Sequence, residues 1–171
     1  MASVLLPLAD GFEEIEAVTV IDLLRRAGVE VVVAGLDDGP VRGSHDIPVM
    51  PDMGLDAALA RDYDMMVLPG GMPGADHLEA DDRIRELLTR LADSGRFTAA
   101  ICAAPEVLAA AGLLKGRRAT SFPGFLDPAQ TPGLTLSEDP VVQDGRVITS
   151  RGPGTAMDFA LALIENLAGS D

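Results

Sequence analysis

A single cysteine in 171 residues leaves no partner for an internal disulfide, and a reducing cytoplasm is the expected compartment. Basic residues are scarce as well: 13 Lys and Arg stand against 27 Asp and Glu, a formal net charge of -14. Such a surface repels phosphate backbones and anionic lipid, so neither nucleic acid nor membrane is expected as a partner. Although 47% of the residues are hydrophobic, the longest apolar runs have the length of a buried strand, short of the roughly 20 residues that a membrane-spanning helix needs. The opening MASVLLPLADGFEE has no basic stretch before its apolar run and meets acids directly after it, which reads as a first strand rather than a signal peptide. The first strand-to-helix turn lacks GxGxxG, and GGMPGA matches neither that fingerprint nor a P-loop, so no nucleotide cofactor is expected. There is no Cys/His cluster to hold a transition metal, and Met50, Met53, Met65, Met66 and Met72 read as packing gap-fillers.

Short β-type runs alternate with helical ones. SVLLPLA (3–9), VEVVVAGL (29–36), DMMVLPGG (64–71) and FTAAIC (97–102) are apolar, and the second has the unbroken branched character of a strand covered on both faces. A helix over 13–28 has Ile15, Val18, Ile21 or Asp22, and Leu24 or Arg25 at helical spacing, with Arg25 and Arg26 in its last turn before Gly28. RIRELLTRLADSG and TAMDFALALIENLAG supply further helices, DDGPVRGSHDIPVMPD a hairpin or loop excursion, and VVQDGRVITS a hairpin about an Asp-Gly turn. The length and the uninterrupted alternation predict one domain over 1–171, a doubly wound α/β sheet with helices on both faces. Ligands of such sheets gather at the carboxyl ends of the strands, where DGFEEIE, PGGMPGADH and CAAPE stand.

Cys102 lies at one of these ends, among Ala99, Ala100, Ala103 and Ala104. A nucleophile on a sharp strand-to-helix turn needs such small neighbours. Pro105 suits a first helical turn and Glu106 favours the positive helix end. Free amides and the helix dipole would lower the thiol pKa and give a thiolate at neutral pH. The residues alone also allow Cys102 to be a small buried core side chain.

LADGFEEIEAV, VLPGGMPGA, AAICAAP and TSRGPGTAMDFAL, in that order and spacing, resemble the ThiJ/PfpI superfamily, and within it the DJ-one/YajL-like branch. The resemblance spans essentially the whole chain. It implies a flavodoxin-like α/β sandwich of the class I glutamine amidotransferase type, usually a homodimer, with helix 13–28 a contributor to the interface. It implies Cys102 as elbow nucleophile, Glu16 as the carboxyl meeting its sulfur, and the backbone N–H groups of Gly71 and Ala103 as an oxyanion hole. A carboxyl beside a thiolate has its pKa raised, so a protonated Glu16 could donate to sulfur and shuttle a proton, the two titrating as a pair. Glu13 and Glu14 read as solvated first-turn acids.

Many superfamily members place a histidine beside the cysteine, whereas RRATSFPGF puts Phe122 there, as YajL-type members also do. Without an oriented base, protease or amidotransferase chemistry is not expected. His45, in RGSHD, and His77, in GGMPGADH, are the histidines present, each readable as an exposed polar residue. RGPGT reads as a rigid turn with Thr155 as N-cap rather than an anion site. Two functional classes follow from the resemblance: an enzyme of glyoxalase or deglycase type acting on small carbonyls such as methylglyoxal or their protein and thiol adducts, or a redox-responsive chaperone or sensor in which Cys102 is oxidised. Neither requires a cofactor.

Overall fold

A computed structural model describes residues 1–168. Its centre is a seven-stranded sheet in the order β10-β11-β7-β6-β1-β2-β5. These strands are β1 (Ser3–Leu8), β2 (Glu30–Gly35), β5 (Met53–Gly54), β6 (Met65–Leu68), β7 (Phe97–Ile101), β10 (Val141–Asp144) and β11 (Val147–Ser150). All neighbours run parallel except the β10–β11 hairpin. The helices are α1 (Glu14–Arg26), α2 (Leu55–Ala58), α3 (Gly74–Ala80), α4 (Asp82–Asp93), α5 (Pro105–Ala110) and α6 (Ala156–Ala168), the last preceded by a 3₁₀ turn over Pro153–Thr155. The excursion after β2 is a two-stranded ribbon of β3 (Val41–Arg42) and β4 (Pro48–Val49), and β8 (Arg118–Ala119) pairs with β9 (Thr135–Leu136) outside the main sheet.

Alternation along the central strands builds two cores. Leu5, Met66, Leu68 and Ala100 face one, with α3, α4 and α5; Val4, Leu6, Met65, Val67, Ala99 and Ile101 face the other, with α1 and α6. With both faces covered, the strands must be apolar at every position, which is why β1, β2, β6 and β7 read as continuous runs. The chain winds outward to β2 on one side of β1 and returns to β6 on the other, so the loops after β1 and β6 diverge at a topological switch point, where doubly wound sheets leave a crevice.

Several expectations are corrected. On α1 the buried stripe is Glu16, Ala17, Val20 and Leu24, while Ile15 and Val18 are 55% and 48% exposed. The apolar positions at Ile15 and Val18 point away from the sheet because α1 rests on it through Glu16, Val20 and Leu24. The C-terminal hairpin turns on Gly145 and Arg146, Asp144 being paired with Val147, and Gly145 at φ 61° takes the left-handed position that the two-residue turn requires. Met65 and Met66 do fill the core, but Met50 and Met72 are 69% and 41% exposed. PGGMPGADH is a loop only at its start, its second half being α3. Among the described residues no helix is long and apolar enough to cross a membrane.

Candidate functional site

β7 ends at Ile101, and the next residue turns sharply. Cys102 adopts φ 66°, a left-handed backbone that non-glycine residues rarely enter. Conformations of this kind cost about 1–3 kcal/mol and persist where the surroundings over-determine them. Those surroundings are visible: the Cys102 N–H donates to the Ser150 carbonyl at 3.0 Å, and the Cys102 carbonyl accepts from the Phe122 N–H at 2.9 Å. The alanines on either side are fully buried, and larger side chains there would collide with the turn. The elbow expected from the small-residue run is therefore present.

The sulfur is met from three directions. The backbone N–H groups of Gly71, after β6, and of Ala103, at the elbow, donate to it, and the Glu16 carboxyl of α1 lies against it. Gly70 explains the closeness: a Cβ there would sit 2.6 Å from both the Cys102 Cβ and Glu16 Oε1 and 2.7 Å from the Ile101 carbonyl. Gly71, at φ 93°, presses on the backbone of Gly11, Phe12 and Glu13, so the loops after β1 and β6 interlock at two glycines. Glu16 is completely buried; its Oε1 accepts from the Gly70 N–H at 2.9 Å, and its Oε2 has no hydrogen-bond partner among the described residues. Cys102, Glu16, Gly71 and Ala103 thus come together from three separate segments: α1, the loop after β6 and the turn after β7.

The electrostatics differ from the sequence expectation of a free thiolate. Burial pushes the Glu16 carboxyl up to about 7. Burial, and then the facing Glu16 charge, push the Cys102 thiol up to about 12 despite the two amide donors. α5 has only six residues, too little helix to offset that environment. The pair holds two protons below about pH 7 and one above it, and the value of 12 belongs to removal of the last. An orphaned, buried Oε2 is what a protonated carboxyl needs in order to turn its O–H toward sulfur.

The other acids are also repositioned. Glu14, expected in solvent, is buried at 6% exposure. Its Oε2 accepts from the N–H groups of His45 (2.8 Å) and Ile47 (3.2 Å), and its Oε1 meets His45 Nδ1 at 3.1 Å and Ser44 Oγ at 3.4 Å. These contacts hold its pKa at about 2 against burial and clamp the β3–β4 ribbon onto the start of α1. Glu13 caps α1 by accepting from the Ile15 N–H. The ligand atoms of Glu13, Glu14 and His45 lie within 4.8 Å of one another, but both Glu14 oxygens are committed to closing the ribbon. His77 is not brought to the cysteine; it lines a separate cleft with Asp10, Asp37 and Arg83. Phe122 is joined to Cys102 through its backbone, while its ring is 46% exposed and stands edge-on to Phe125 at 6.2 Å. Thr155 does not cap α6 in the expected way: its Oγ1 accepts from the N–H groups of Arg151 and Gly152 and so closes the RGPGT turn.

A left-handed cysteine between strand and helix, with a carboxyl from the first helix at its sulfur and all of it at the carboxyl edge of a flavodoxin-like sheet, defines a class of cysteine-centred α/β proteins. Known proteins narrow the class: the sequence profile of the DJ-1/PfpI family matches residues 2–166. The chain belongs to that family, with its class I glutamine amidotransferase-like fold. It is 42% identical over 170 residues to protein dj-1beta of Drosophila melanogaster, covering 99% of this chain and 91% of the fly protein. Over the same number of residues it is 39% identical to the glutathione-independent glyoxalase DJR-1.2 of Caenorhabditis elegans, covering 99% and 90%. The crystal structure of the fly protein superimposes with a TM-score of 0.92, over 99% of this chain and 91% of that one.

Proposed function

We propose that the chain is a cysteine-dependent enzyme acting on small reactive carbonyl compounds, with methylglyoxal and its thiol or amine adducts as the substrate class. The observation that carries this reading is the convergence on one sulfur of a left-handed backbone, two amide donors and a buried carboxyl with a free oxygen. As the Cys102 sulfur attacks the aldehyde carbon, the thiol proton passes to Glu16, a C–S bond forms, and the carbonyl oxygen becomes an oxyanion received by the Gly71 and Ala103 N–H groups. Glu16 returns the proton to that oxygen, then moves a proton from the former aldehyde carbon to the neighbouring carbonyl carbon while the hydroxyl proton passes to that carbonyl's oxygen, leaving a thioester. Water cleaves the thioester, releasing lactate and the thiol; methylglyoxal plus water becomes lactic acid with no external oxidant or reductant. The glyoxalase name of the nematode relative supports the same reaction class. Lactate formed from methylglyoxal in many-fold excess over protein, and lost in Cys102→Ser, is the expected result; a yield stopping at one equivalent, or surviving that substitution, removes the reading.

A second reading draws on the same pocket. The orphaned Glu16 Oε2 and the two amides would equally hold the oxygens of an oxidised sulfur, so that Cys102 would report peroxide in a stress-responsive protein without turnover. Mass spectrometry of peroxide-treated protein beside the lactate assay separates the two. We also propose a homodimer: Ile15 and Val18 on α1 and Met157 and Leu161 on α6 are 55%, 48%, 63% and 57% exposed, and the two helices pack side by side. A shared apolar face of this kind is covered in a stable assembly, and light scattering should give twice the chain mass.

A further inference from the structure

The peptide of Cys102 is bonded on one side to Ser150 and on the other to Phe122. The segments that continue from these residues enclose an open cleft of about 370 Å³, lined by Phe122, Pro123, Pro153, Thr155 and the backbone of Gly152 and Gly154, with Arg151 as its charged member. Arg151 is half-buried; its N–H donates to Thr155 Oγ1 at 3.2 Å, and its guanidinium donates one bond to the Glu138 carbonyl, also at 3.2 Å. Among the described residues no carboxylate lies within ion-pair distance of it, whereas Arg25, Arg117 and Arg118 each have one and Arg83 has two. In a chain with 27 acids and 13 basic residues, a guanidinium left without a carboxylate beside an aromatic ring and two prolines keeps most of its donors for a ligand. A planar fork of that kind matches carboxylate or phosphate geometry, and apolar walls strengthen the attraction.

We infer that Arg151 is a specificity-determining residue of the Cys102 site, drawing small carbonyl compounds that carry a carboxylate or phosphate into this cleft. The carbon skeleton lies against Phe122 and Pro153 and the anion on the guanidinium. The inference rests on Cys102 being the reacting group of the proposed function, but not on turnover.

Its test uses two alkylating reagents of nearly equal size, anionic iodoacetate and neutral iodoacetamide, each of which forms a C–S bond at Cys102 with loss of iodide and the thiol proton. The measured quantity is the ratio of their rates, normalised to the same ratio for glutathione. In Arg151→Gln the ratio should fall about fivefold to tenfold, as expected for loss of one charge that attracts the reagent's carboxylate in a partly solvated cleft, with the iodoacetamide rate unchanged. Arg151→Lys should recover part of the ratio. Arg90→Gln, which removes the same charge from an exposed site on α4, should leave it as in the wild type. A ratio unchanged in Arg151→Gln, or lowered equally by Arg90→Gln, overturns the inference, as does a loss of both rates that Arg151→Lys fails to restore. If the wild-type Cys102 reacts with neither reagent, the nucleophile reading falls and this inference falls with it; absence of lactate beside a normal reagent ratio removes only the enzyme reading.

Discussion

Replacing Glu16 with Gln should make the protein more stable at pH 8 and alter it far less at pH 4.5. Glu16 is completely buried and its carboxyl is raised from 4.5 to about 7, burial being the main cause. At about 1.4 kcal/mol per tenfold change in proton affinity, that difference corresponds to roughly 3 kcal/mol. The sign follows from linkage: the folded state binds this proton more tightly than the unfolded chain. The stability it confers is therefore complete below the unfolded pKa of 4.5, declines as pH rises, and is gone above about 7. The thiol, held near 12 once Glu16 is ionised, does not titrate in that window. Gln keeps the acceptor for the Gly70 N–H, bonded at 2.9 Å in the wild type, and never ionises. The advantage of Glu16→Gln over wild type should therefore grow by roughly 3 kcal/mol between pH 4.5 and pH 8, a shift of roughly 10 °C in melting temperature for a chain of this length. Urea unfolding of both proteins at half-unit pH steps measures it. A difference that is flat across this range would refute the assignment of a carboxyl held neutral by burial, whatever its sign at any one pH.

The same substitution should act oppositely on chemistry, lowering lactate formation by about 10²- to 10⁴-fold because Gln carries no transferable proton, while Phe122→His should raise turnover or leave it unchanged; steady-state lactate assays decide both. Gly70→Ala should force apart Cys102 and Glu16, which its Cβ would approach to 2.6 Å, costing about 1–3 kcal/mol of stability and slowing alkylation of Cys102, both readable on one purified variant. Glu14→Gln should cost about 1–3 kcal/mol at pH 7 through the unsatisfied ribbon amides. Because the Glu14 pKa is depressed to about 2, that cost should shrink as pH falls from 4.5 toward 2, and calorimetry at pH 7 and pH 3 tests the trend.

The fold was legible because a sheet covered on both faces writes its strands as unbroken apolar runs, and β1, β2, β6 and β7 all fall within the predicted runs, one to four residues shorter. The elbow was legible in the alanines around Cys102, whose conformation at φ 66° confirms the turn. What failed was whatever depends on which face of an element meets its neighbour. Ile15 and Val18 have helical spacing in common with Ala17 and Val20, and only the docking of α1 decides that the larger pair faces outward. Glu14 looked like any first-turn acid; the ribbon that closes over it comes from 31 residues further along. Gly70 and Gly71 could have been singled out, since adjacent glycines at a strand end signal close backbone approach, but the partner approached is set by topology.

Glu14 and Glu16 bring the difference between residue type and residue environment to a single turn of helix. Both are buried, both belong to α1, and they stand two positions apart, so their side chains leave the helix in different directions. Glu14 meets two backbone N–H groups, a hydroxyl and an imidazole, and falls to about 2. Glu16 meets one N–H and a thiol, has Glu13 nearby to repel its charge, and rises to about 7. The first is a permanent anion suited to holding a loop in place; the second sits at the midpoint of its titration near neutral pH, where a group can both give and take a proton. Had the ribbon closed on Glu16 instead, its oxygens would be filled with donors, its proton lost, and the Cys102 sulfur would face a fixed negative charge unable to assist it. The chemistry proposed for this pocket therefore depends on the β3–β4 ribbon taking the neighbouring carboxylate and leaving Glu16 Oε2 without a partner.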